Sequence, residues 1–146
     1  MQGPEAPTEI IHASCVAREG RGLLILGASG QGKSTLALTL MALGADLVAD
    51  DRVVLRRHPD AVIADAPDPI RGLVEARGVG LLKAESVGPV ALALVVDLDQ
   101  VETERLPALR TTRLLGRDVP LLHGIDAPHF APALMQYLKA GLRTEA

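Results

Sequence analysis

A glycine-rich loop between an apolar strand pattern and an apolar helix pattern decides the fold of this chain. The loop reads Gly27-Ala28-Ser29-Gly30-Gln31-Gly32-Lys33-Ser34, a complete G-x-x-x-x-G-K-[ST] motif. Residues 22–26 form an apolar run that ends at the loop, and residues 35–43 form a helix pattern that stops at a glycine. A phosphate-binding loop requires this order of strand, loop and helix, so the motif predicts a nucleoside triphosphate site.

The residue types of the loop suit phosphate chemistry. Glycines let the backbone curl until its N–H groups and the positive end of the next helix face the phosphates. We expect Lys33 to reach the β and γ phosphates and the Ser34 hydroxyl to bind Mg²⁺. Thr35 completes the predicted nucleotide-binding set with the eight loop residues. The alternative interpretation is a glycine-rich turn that carries a surface lysine.

Composition limits the possible partners. A chain of 146 residues is expected to form one domain, and its core must be aliphatic because it has one Phe, one Tyr and no Trp. The net charge of −3 and the lack of a long basic run argue against nucleic acid as a partner. Cys15 is the single cysteine, which excludes an intramolecular disulfide. No apolar run approaches about 18 residues, so we expect no membrane partner and a cytoplasmic location.

Hydrophobic patterning predicts an α/β domain with a strand-rich central sheet, one phosphate-loop helix and a carboxy-terminal helix. Residues 1–9 are expected to be a flexible amino terminus, and residues 10–146 a single domain. Residues 90–98 are predicted to form a central strand that is covered on both faces. Residues 73–88 are expected to be a mobile loop with a short turn or helix. The other predicted elements are strands at 10–17, 22–26, 46–49, 53–57, 61–66 and 114–122, and a helix from about 129 to 142.

Two adjacent carboxylates form a second set of candidate residues. Asp50 and Asp51 follow the strand that comes after the predicted helix. One of them could bind Mg²⁺ directly or through water, while the other accepts a proton from an incoming hydroxyl. The sequence does not decide which has which role. A solvated turn before a hairpin is the alternative, because aspartate is common in turns.

The ordered set of motifs resembles the carboxy-terminal catalytic domain of HPr kinase/phosphorylase. Glu75-Ala76-Arg77-Gly78-Val79-Gly80-Leu81 is similar to that family's E-I-R-G-[LI]-G-[IL] signature. The matching set is spread over most of the chain. Its other members are His12, the phosphate loop, Leu47-Val48-Ala49-Asp50-Asp51 and Glu104-Arg105-Leu106.

The resemblance implies a reaction and a role for each matched residue. The expected reaction transfers the γ-phosphoryl group of ATP, with Mg²⁺, to a serine of HPr or an HPr-like phosphocarrier protein of the bacterial phosphotransferase system. Asp51 resembles the base, and Lys33 would neutralise charge on the transferring group. The resemblance further implies a hexamer, Ser34 and Glu75 as Mg²⁺ ligands with Asp50 as a further candidate, and His12 and Arg105 as residues that flank the reacting phosphate.

The sequence also departs from the family pattern. Bifunctional members carry a P-V-R-P-G-R segment associated with dephosphorylation, whereas residues 122–128 here contain no arginine. The resemblance implies kinase activity together with reverse phosphorolysis in bifunctional members, and this departure leaves the phosphorolysis open while kinase activity remains expected. Few residues precede His12, which suggests a stand-alone catalytic domain. Taken singly, His12 could be a structural histidine on an apolar strand, and Glu75 could be an exposed loop charge.

Other functions remain compatible with the motif. The chain could be a regulatory switch that binds ATP without phosphorylating its partner, or a phosphate-loop kinase with a different acceptor. A GTPase would need an N-K-x-D motif, which the sequence lacks. The apolar spacing of the carboxy-terminal helix could serve a partner subunit or HPr, or it could pack on the chain's own sheet.

Overall fold

A computed structural model describes residues 8–143, and these residues are built around one nine-stranded sheet. The strand order is β1-β5-β6-β9-β3-β2-β4, and β11 pairs with β9 and with β10. The strands are β1 Thr8–His12, β2 Ser14–Arg18, β3 Arg21–Leu26, β4 Asp46–Ala49, β5 Arg52–His58, β6 Ala61–Asp65, β7 Leu73–Ala76, β8 Gly80–Lys83, β9 Val90–Val101, β10 Arg110–Leu114 and β11 Arg117–Gly124. The helices are α1 Lys33–Ala42 and α2 Phe130–Ala140, with a short 3-10 helix at Asp68–Ile70.

Strand β9 is the centre of the sheet, as its sequence predicts. It runs parallel to β3 on one side and to β11 on the other, and β6 pairs with its first residues. Leu94, Val95 and Val96 are fully buried. Leu94 and Val96 pack with the helices, whereas Val95 belongs to a second cluster on the opposite face. A strand covered on both faces is apolar along its length, which is why the pattern of residues 90–98 was informative.

The two helices cover the same face of the sheet. Ala37 and Leu40 of α1 share one apolar cluster with Leu134 and Leu138 of α2, and that cluster also contains residues of β2, β3 and β9. The carboxy-terminal helix therefore packs on the chain's own sheet. Its bounds, Phe130–Ala140, lie just inside the predicted 129–142. No helix within residues 8–143 is long and apolar enough to cross a bilayer.

The prediction of a mobile loop at residues 73–88 was wrong. Strands β7 and β8 form an antiparallel hairpin in which Glu75 lies opposite Leu81. Gly78 has a φ of 84°, so it supplies the left-handed conformation of the turn rather than general mobility. Val79 and Leu81 are exposed apolar residues, so the usual alternation of buried apolar and exposed polar residues is absent. The hairpin was therefore hidden from pattern analysis.

Two segments that were each predicted to be one strand form two strands each. Residues 10–17 divide at Ala13, because β1 pairs with β5 while β2 pairs with β3 and β4. Residues 114–122 contain the turn between β10 and β11, where Leu115 and Gly116 both have positive φ. The first segment changes its partner strands at Ala13, whereas the second turns back so that its two strands pair with each other.

The amino-terminal boundary also differs from expectation. Strand β1 begins at Thr8 and pairs with β5 from that residue onward, so Thr8 and Glu9 belong to the sheet. The remaining part of the predicted flexible segment, residues 1–7, lies outside the described residues.

Candidate active site

The phosphate loop connects β3 to α1 and ends in a left-handed glycine. Gly32 has a φ of 93° and is the N-cap of α1, which begins at Lys33. A side chain at Gly32 would meet no atom within 4 Å, so glycine is favoured there by backbone conformation rather than by space. The loop thereby aims the free N–H groups of the first helical turn at the cleft, where they can receive phosphate oxygens.

Gly27, at the other end of the loop, is favoured by close approach. A Cβ atom at Gly27 would lie 3.2 Å from the Cβ of Leu98 and 3.3 Å from the Cβ of Gln31. Leu98 follows Asp97, which lies opposite Leu26 in the parallel pair of β3 and β9. The loop is therefore pressed against the carboxyl end of β9.

Lys33 folds back over the loop. Its Nζ donates to the carbonyl oxygen of Gly27 at 2.6 Å and to that of Ala28 at 3.3 Å. These acceptors keep the ammonium group beside the loop, within the cleft that the loop residues line. The placement is suited to neutralising charge on a bound phosphate chain.

Asp50 is buried, and both of its carboxylate oxygens accept hydrogen bonds. The residue is 4% exposed. Its Oδ1 accepts the Ser34 hydroxyl at 2.8 Å and the Ser14 hydroxyl at 2.7 Å, and its Oδ2 accepts the Glu75 N–H at 3.2 Å. The three predicted metal-site residues, Ser34, Asp50 and Glu75, are therefore brought together.

Asp51 points the other way, into the cleft. Its side chain is 72% exposed and lies 3.9 Å from the Arg52 guanidinium. Its backbone has a φ of 71°, a conformation that aspartate tolerates better than most residues. The Arg52 N–H bonds to the Asp50 carbonyl oxygen at 2.9 Å, which tightens the turn between β4 and β5. This turn separates the two adjacent carboxylates.

The cleft in front of the loop has a volume of about 520 Å³. One wall is the loop and the start of α1, with Ser29, Gly30, Gly32, Lys33, Ser34 and Thr35. The other wall contains Ser14, Asp51, Glu75 and Arg77. The β7–β8 hairpin therefore forms one side of the site. Another cavity, about 360 Å³, is lined by Arg57, Arg113 and Arg117 and contains none of the predicted site residues.

Asp65 and Arg71 hold the segment that leads into this hairpin. The Arg71 guanidinium donates to Asp65 at 2.7 Å and to Asp68 at 2.9 Å. Burial raises the pKa of Asp65, but hydrogen bonds from Arg71 and from the Ala66 N–H outweigh it, so the pKa lies below its usual value. The ion pair thus connects the end of β6 to the start of β7.

The predicted catalytic residues His12 and Arg105 do not line the cleft, and the same is true of Asp50 and of the loop residues Gly27, Ala28 and Gln31. His12 is exposed at the end of β1, opposite Arg52, and the next residue, Ala13, donates its N–H to the Asp51 carbonyl oxygen at 3.3 Å. His12 is thus close in the fold to the Asp51 turn. Arg105 is exposed in the segment after β9 and makes no hydrogen bond or ion pair with the residues from 8 to 143.

Glu102 anchors the segment that carries Arg105. Its carboxylate pairs with Arg110 and accepts the N–H groups of Thr103 and Glu104, each at 3.1 Å. The hydrogen bond from Arg110 holds the pKa of Glu102 below its usual range. The Glu102 N–H bonds to the Gly124 carbonyl oxygen at 2.9 Å. The segment therefore begins from a fixed point beside the carboxyl end of β11.

Sequence reasoning missed Asp99 and Ser14. Both oxygens of Asp99 accept the Ala28 N–H, at 2.9 and 3.1 Å, and Asp97 in turn accepts the Asp99 N–H at 2.9 Å. The available signal was the pair of aspartates that ends the apolar run of β9, beside the loop strand. For Ser14 it was a lone hydroxyl within an apolar strand.

The donor set fits a magnesium ion carried by a nucleotide. Among the described residues, no three His, Cys, Asp or Glu side chains form a preformed metal cage. Mg²⁺ usually keeps several waters and uses few protein ligands besides substrate phosphates, so it needs no such cage. Ser34 and Glu75 both line the cleft, and the Asp50 carboxylate accepts hydrogen bonds from the Ser34 hydroxyl and the Glu75 backbone N–H.

Comparison with known proteins agrees with this geometry. The family described as HPr Serine kinase C-terminal domain matches residues 5–117. The chain belongs to this family. The resemblance found in the sequence and the phosphate-loop kinase fold predicted from it are both confirmed.

Named relatives share the family and are longer than this chain. The HPr kinase/phosphorylase of Peptoclostridium acidaminophilum is 41% identical over 127 residues, which cover 84% of this chain and 41% of that protein. That of Halalkalibacterium halodurans is 42% identical over 107 residues, or 68% of this chain and 34% of the relative. The chain thus spans well under half of these curated relatives.

A solved structure has the same fold. The structure of the Hpr(Ser) kinase/phosphatase from Coxiella burnetii matches with a TM-score of 0.73 and 25% sequence identity. The match covers 90% of this chain and 88% of that chain. The two chains therefore share the same fold.

Proposed function

We propose that this chain is the catalytic domain, spanning residues 10–146, of an ATP-dependent protein serine kinase that phosphorylates an HPr-like phosphocarrier of the bacterial phosphotransferase system. The observation that carries the proposal is the division of labour between Asp50 and Asp51. Asp50 is buried against the Ser34 hydroxyl, whereas Asp51 is exposed in the same cleft. One carboxylate can organise the nucleotide and the other can meet an acceptor.

ATP and Mg²⁺ are the proposed substrate and cofactor. The free N–H groups at the start of α1 and Lys33 would bind the phosphate chain, and Ser34 and Glu75 would hold Mg²⁺, with Asp50 as a further candidate ligand. When bound, Mg²⁺ supplies charge neutralisation at the phosphate oxygens.

The proposed transfer is an in-line displacement. The serine oxygen of the acceptor forms a bond to the γ phosphorus, while the bond from that phosphorus to the β–γ bridging oxygen breaks and ADP leaves. Asp51 accepts the serine proton, and Lys33 neutralises charge on the transferring group. His12 and Arg105 are proposed to contact the reacting phosphate once the acceptor is bound. Both residues are exposed in the isolated chain, which is compatible with that role.

Kinase activity without efficient phosphorolysis is part of the proposal. The segment from Leu122 to Pro128 contains the last three residues of β11 and leaves the sheet at its carboxyl end, the edge at which the phosphate loop lies beside β9. It contains no arginine that could attract inorganic phosphate. Adding inorganic phosphate to the phosphorylated acceptor is therefore expected to leave most of the phosphoserine intact.

The setting proposed for this enzyme is the cytoplasm, with a homo-oligomer, a hexamer by family resemblance, as the working assembly. The net charge of −3 argues against nucleic acid as a partner, and no membrane partner is proposed. Sedimentation velocity would test the assembly, because a monomer at working concentration would contradict it.

The function is tested by phosphoryl transfer from γ-labelled ATP, with Mg²⁺, to purified HPr-type proteins. The expected product carries acid-stable label on one serine, and the Lys33→Ala variant is expected to form none. ATP binding without label on any HPr-type protein would contradict the proposal and favour a nucleotide-dependent regulatory switch or a different acceptor.

A further inference from the structure

Ser14 and Asp50 are the buried polar residues among positions 8–143, and a hydrogen bond joins their side chains. Ser14 is 1% exposed and lies on β2. Its neighbours along the strand are apolar, and Cys15 belongs to the apolar cluster on the face of the sheet away from the helices. Ser14 lines the nucleotide cleft. A buried hydroxyl at such a place calls for a reason other than packing.

The contacts of Ser14 converge on one carboxylate oxygen. Asp50 Oδ1 accepts the Ser14 hydroxyl at 2.7 Å and the Ser34 hydroxyl at 2.8 Å, so two hydroxyls share one acceptor. The Glu75 N–H holds the other oxygen at 3.2 Å. Three donors from three separate elements therefore fix the rotation of the carboxylate. Ser34 and Glu75 already have proposed roles as ligands of the metal. Ser14 has no proposed role toward the nucleotide or its metal.

The direction of the Ser34 bond matters for metal binding. Because the Ser34 hydroxyl donates its proton to Asp50, its lone pairs are directed away from Asp50. Ser34 also lines the cleft, so those lone pairs are available to a cation that arrives with the nucleotide. If Asp50 rotated, the hydroxyl would follow it or lose its acceptor.

We propose that Ser14 is a positioning residue: its hydroxyl fixes the Asp50 carboxylate, which in turn orients the Ser34 hydroxyl toward the Mg²⁺ of the bound nucleotide. The proposal rests on the proposed function in so far as that function requires Mg²⁺ with the nucleotide. Ser14 acts through Asp50 and Ser34 and makes no contact with the reacting phosphate.

The test measures nucleotide binding and does not need the acceptor protein. Affinity for a fluorescent ATP analogue is measured as Mg²⁺ is titrated, and again with EDTA. Ser14→Ala is expected to weaken Mg²⁺-dependent binding about tenfold, the factor that corresponds to losing one hydrogen bond to a charged group. Binding in EDTA is expected to stay within about twofold of wild type, because the loop N–H groups and Lys33 are untouched.

Two further variants separate positioning from general structural damage. Cys15→Ala removes a buried atom of similar size from the next position of the same strand, and it is expected to leave the Mg²⁺ dependence unchanged. Ser14→Thr keeps the hydroxyl and is expected to restore most of the Mg²⁺-dependent affinity. Thermal unfolding of each variant without nucleotide reports whether it is folded.

A double-mutant cycle with Ser34 gives the decisive comparison. If Ser14 acts through Asp50 on Ser34, then adding Ser14→Ala to a Ser34→Ala chain is expected to cause no further loss of Mg²⁺-dependent affinity. Independent, additive losses would overturn the proposal, and so would a Ser14→Ala chain with wild-type or tighter Mg²⁺-dependent binding. If Ser14→Thr fails to fold, the cycle still decides.

Failure of this inference and failure of the proposed function give different results. If the chain phosphorylates no HPr-type protein, its ATP-analogue affinity can still depend on Mg²⁺ and lose that dependence in Ser14→Ala. That result would support the role of Ser14 but not the proposed kinase function. Phosphoryl transfer that persists while Ser14→Ala leaves Mg²⁺ dependence unchanged would retain the function and remove Ser14 from the site.

Discussion

Asp50 and Asp51 are adjacent in the chain, yet one carboxylate is buried and the other is exposed in the cleft in front of the phosphate loop. The turn after β4, with Asp51 at a positive φ, produces this separation. Adjacent carboxylates that face the same way would repel each other, whereas these two can hold different roles.

The two positions are expected to respond differently to loss of charge. Asp50→Asn should lower the free energy of unfolding by about 1–3 kcal/mol, because three donors lose a charged acceptor in a buried site. Asp51→Asn should change it by less than about 0.5 kcal/mol, since the side chain is exposed and Asn also tolerates positive φ. Urea denaturation measures both. Equal effects at the two positions would contradict the described burial.

Asp99 is expected to stabilise the phosphate loop for nucleotide binding. Asp99→Ala removes the acceptor of the Ala28 N–H, so the dissociation constant for ATP should rise about three- to tenfold. Asp99→Asn retains an acceptor oxygen and should lose less. Gln100→Ala, an exposed neighbour on the same strand, is the matched control. Wild-type ATP affinity in Asp99→Ala, measured by calorimetry, would remove Asp99 from the site.

The ion pair between Asp65 and Arg71 is expected to make the free energy of unfolding depend on pH. The pKa of Asp65 is lower in the folded protein than in the unfolded chain. Its contribution is therefore present above the unfolded pKa and is lost as the pH falls through the folded pKa, below about pH 4. Asp65→Asn should be less stable than wild type at pH 7, and the difference should narrow below pH 4.

The control for this pair is Asp68→Asn. Arg71 also donates to Asp68, but the Asp68 side chain is far more exposed than that of Asp65. Its substitution should have a smaller effect at pH 7 and a weaker dependence on pH. A gap between Asp65→Asn and wild type that stays constant from pH 7 to pH 3 would show that the ion pair is not the cause.

Local chemistry explains what the sequence could predict. The phosphate loop, its strand and its helix are contiguous, and the central strand β9 is apolar along its length, so both are visible in a short window. The aspartate pair could be located, but its division of labour could not, because that depends on the backbone turn at Asp51.

Long-range contacts explain what the sequence could not predict. Ser14 and Asp50 are 36 residues apart, and Ala28 and Asp99 are 71 residues apart, so nothing in the local pattern of either member marks its partner. The β7–β8 hairpin was missed for a different reason. Its apolar residues Val79 and Leu81 are exposed, and they obscure the alternation that identifies a strand.

The most direct test of the central claim is single-turnover phosphoryl transfer from ATP to the serine of an HPr-type protein, compared between wild type and Asp51→Asn. Wild type is expected to form acid-stable phosphoserine, and Asp51→Asn is expected to transfer at least about a hundredfold more slowly with ATP affinity largely retained. Asp60→Asn, at the exposed turn between β5 and β6, is the control and should match wild type. Transfer at the wild-type rate by Asp51→Asn, or no transfer by wild type, would contradict the account.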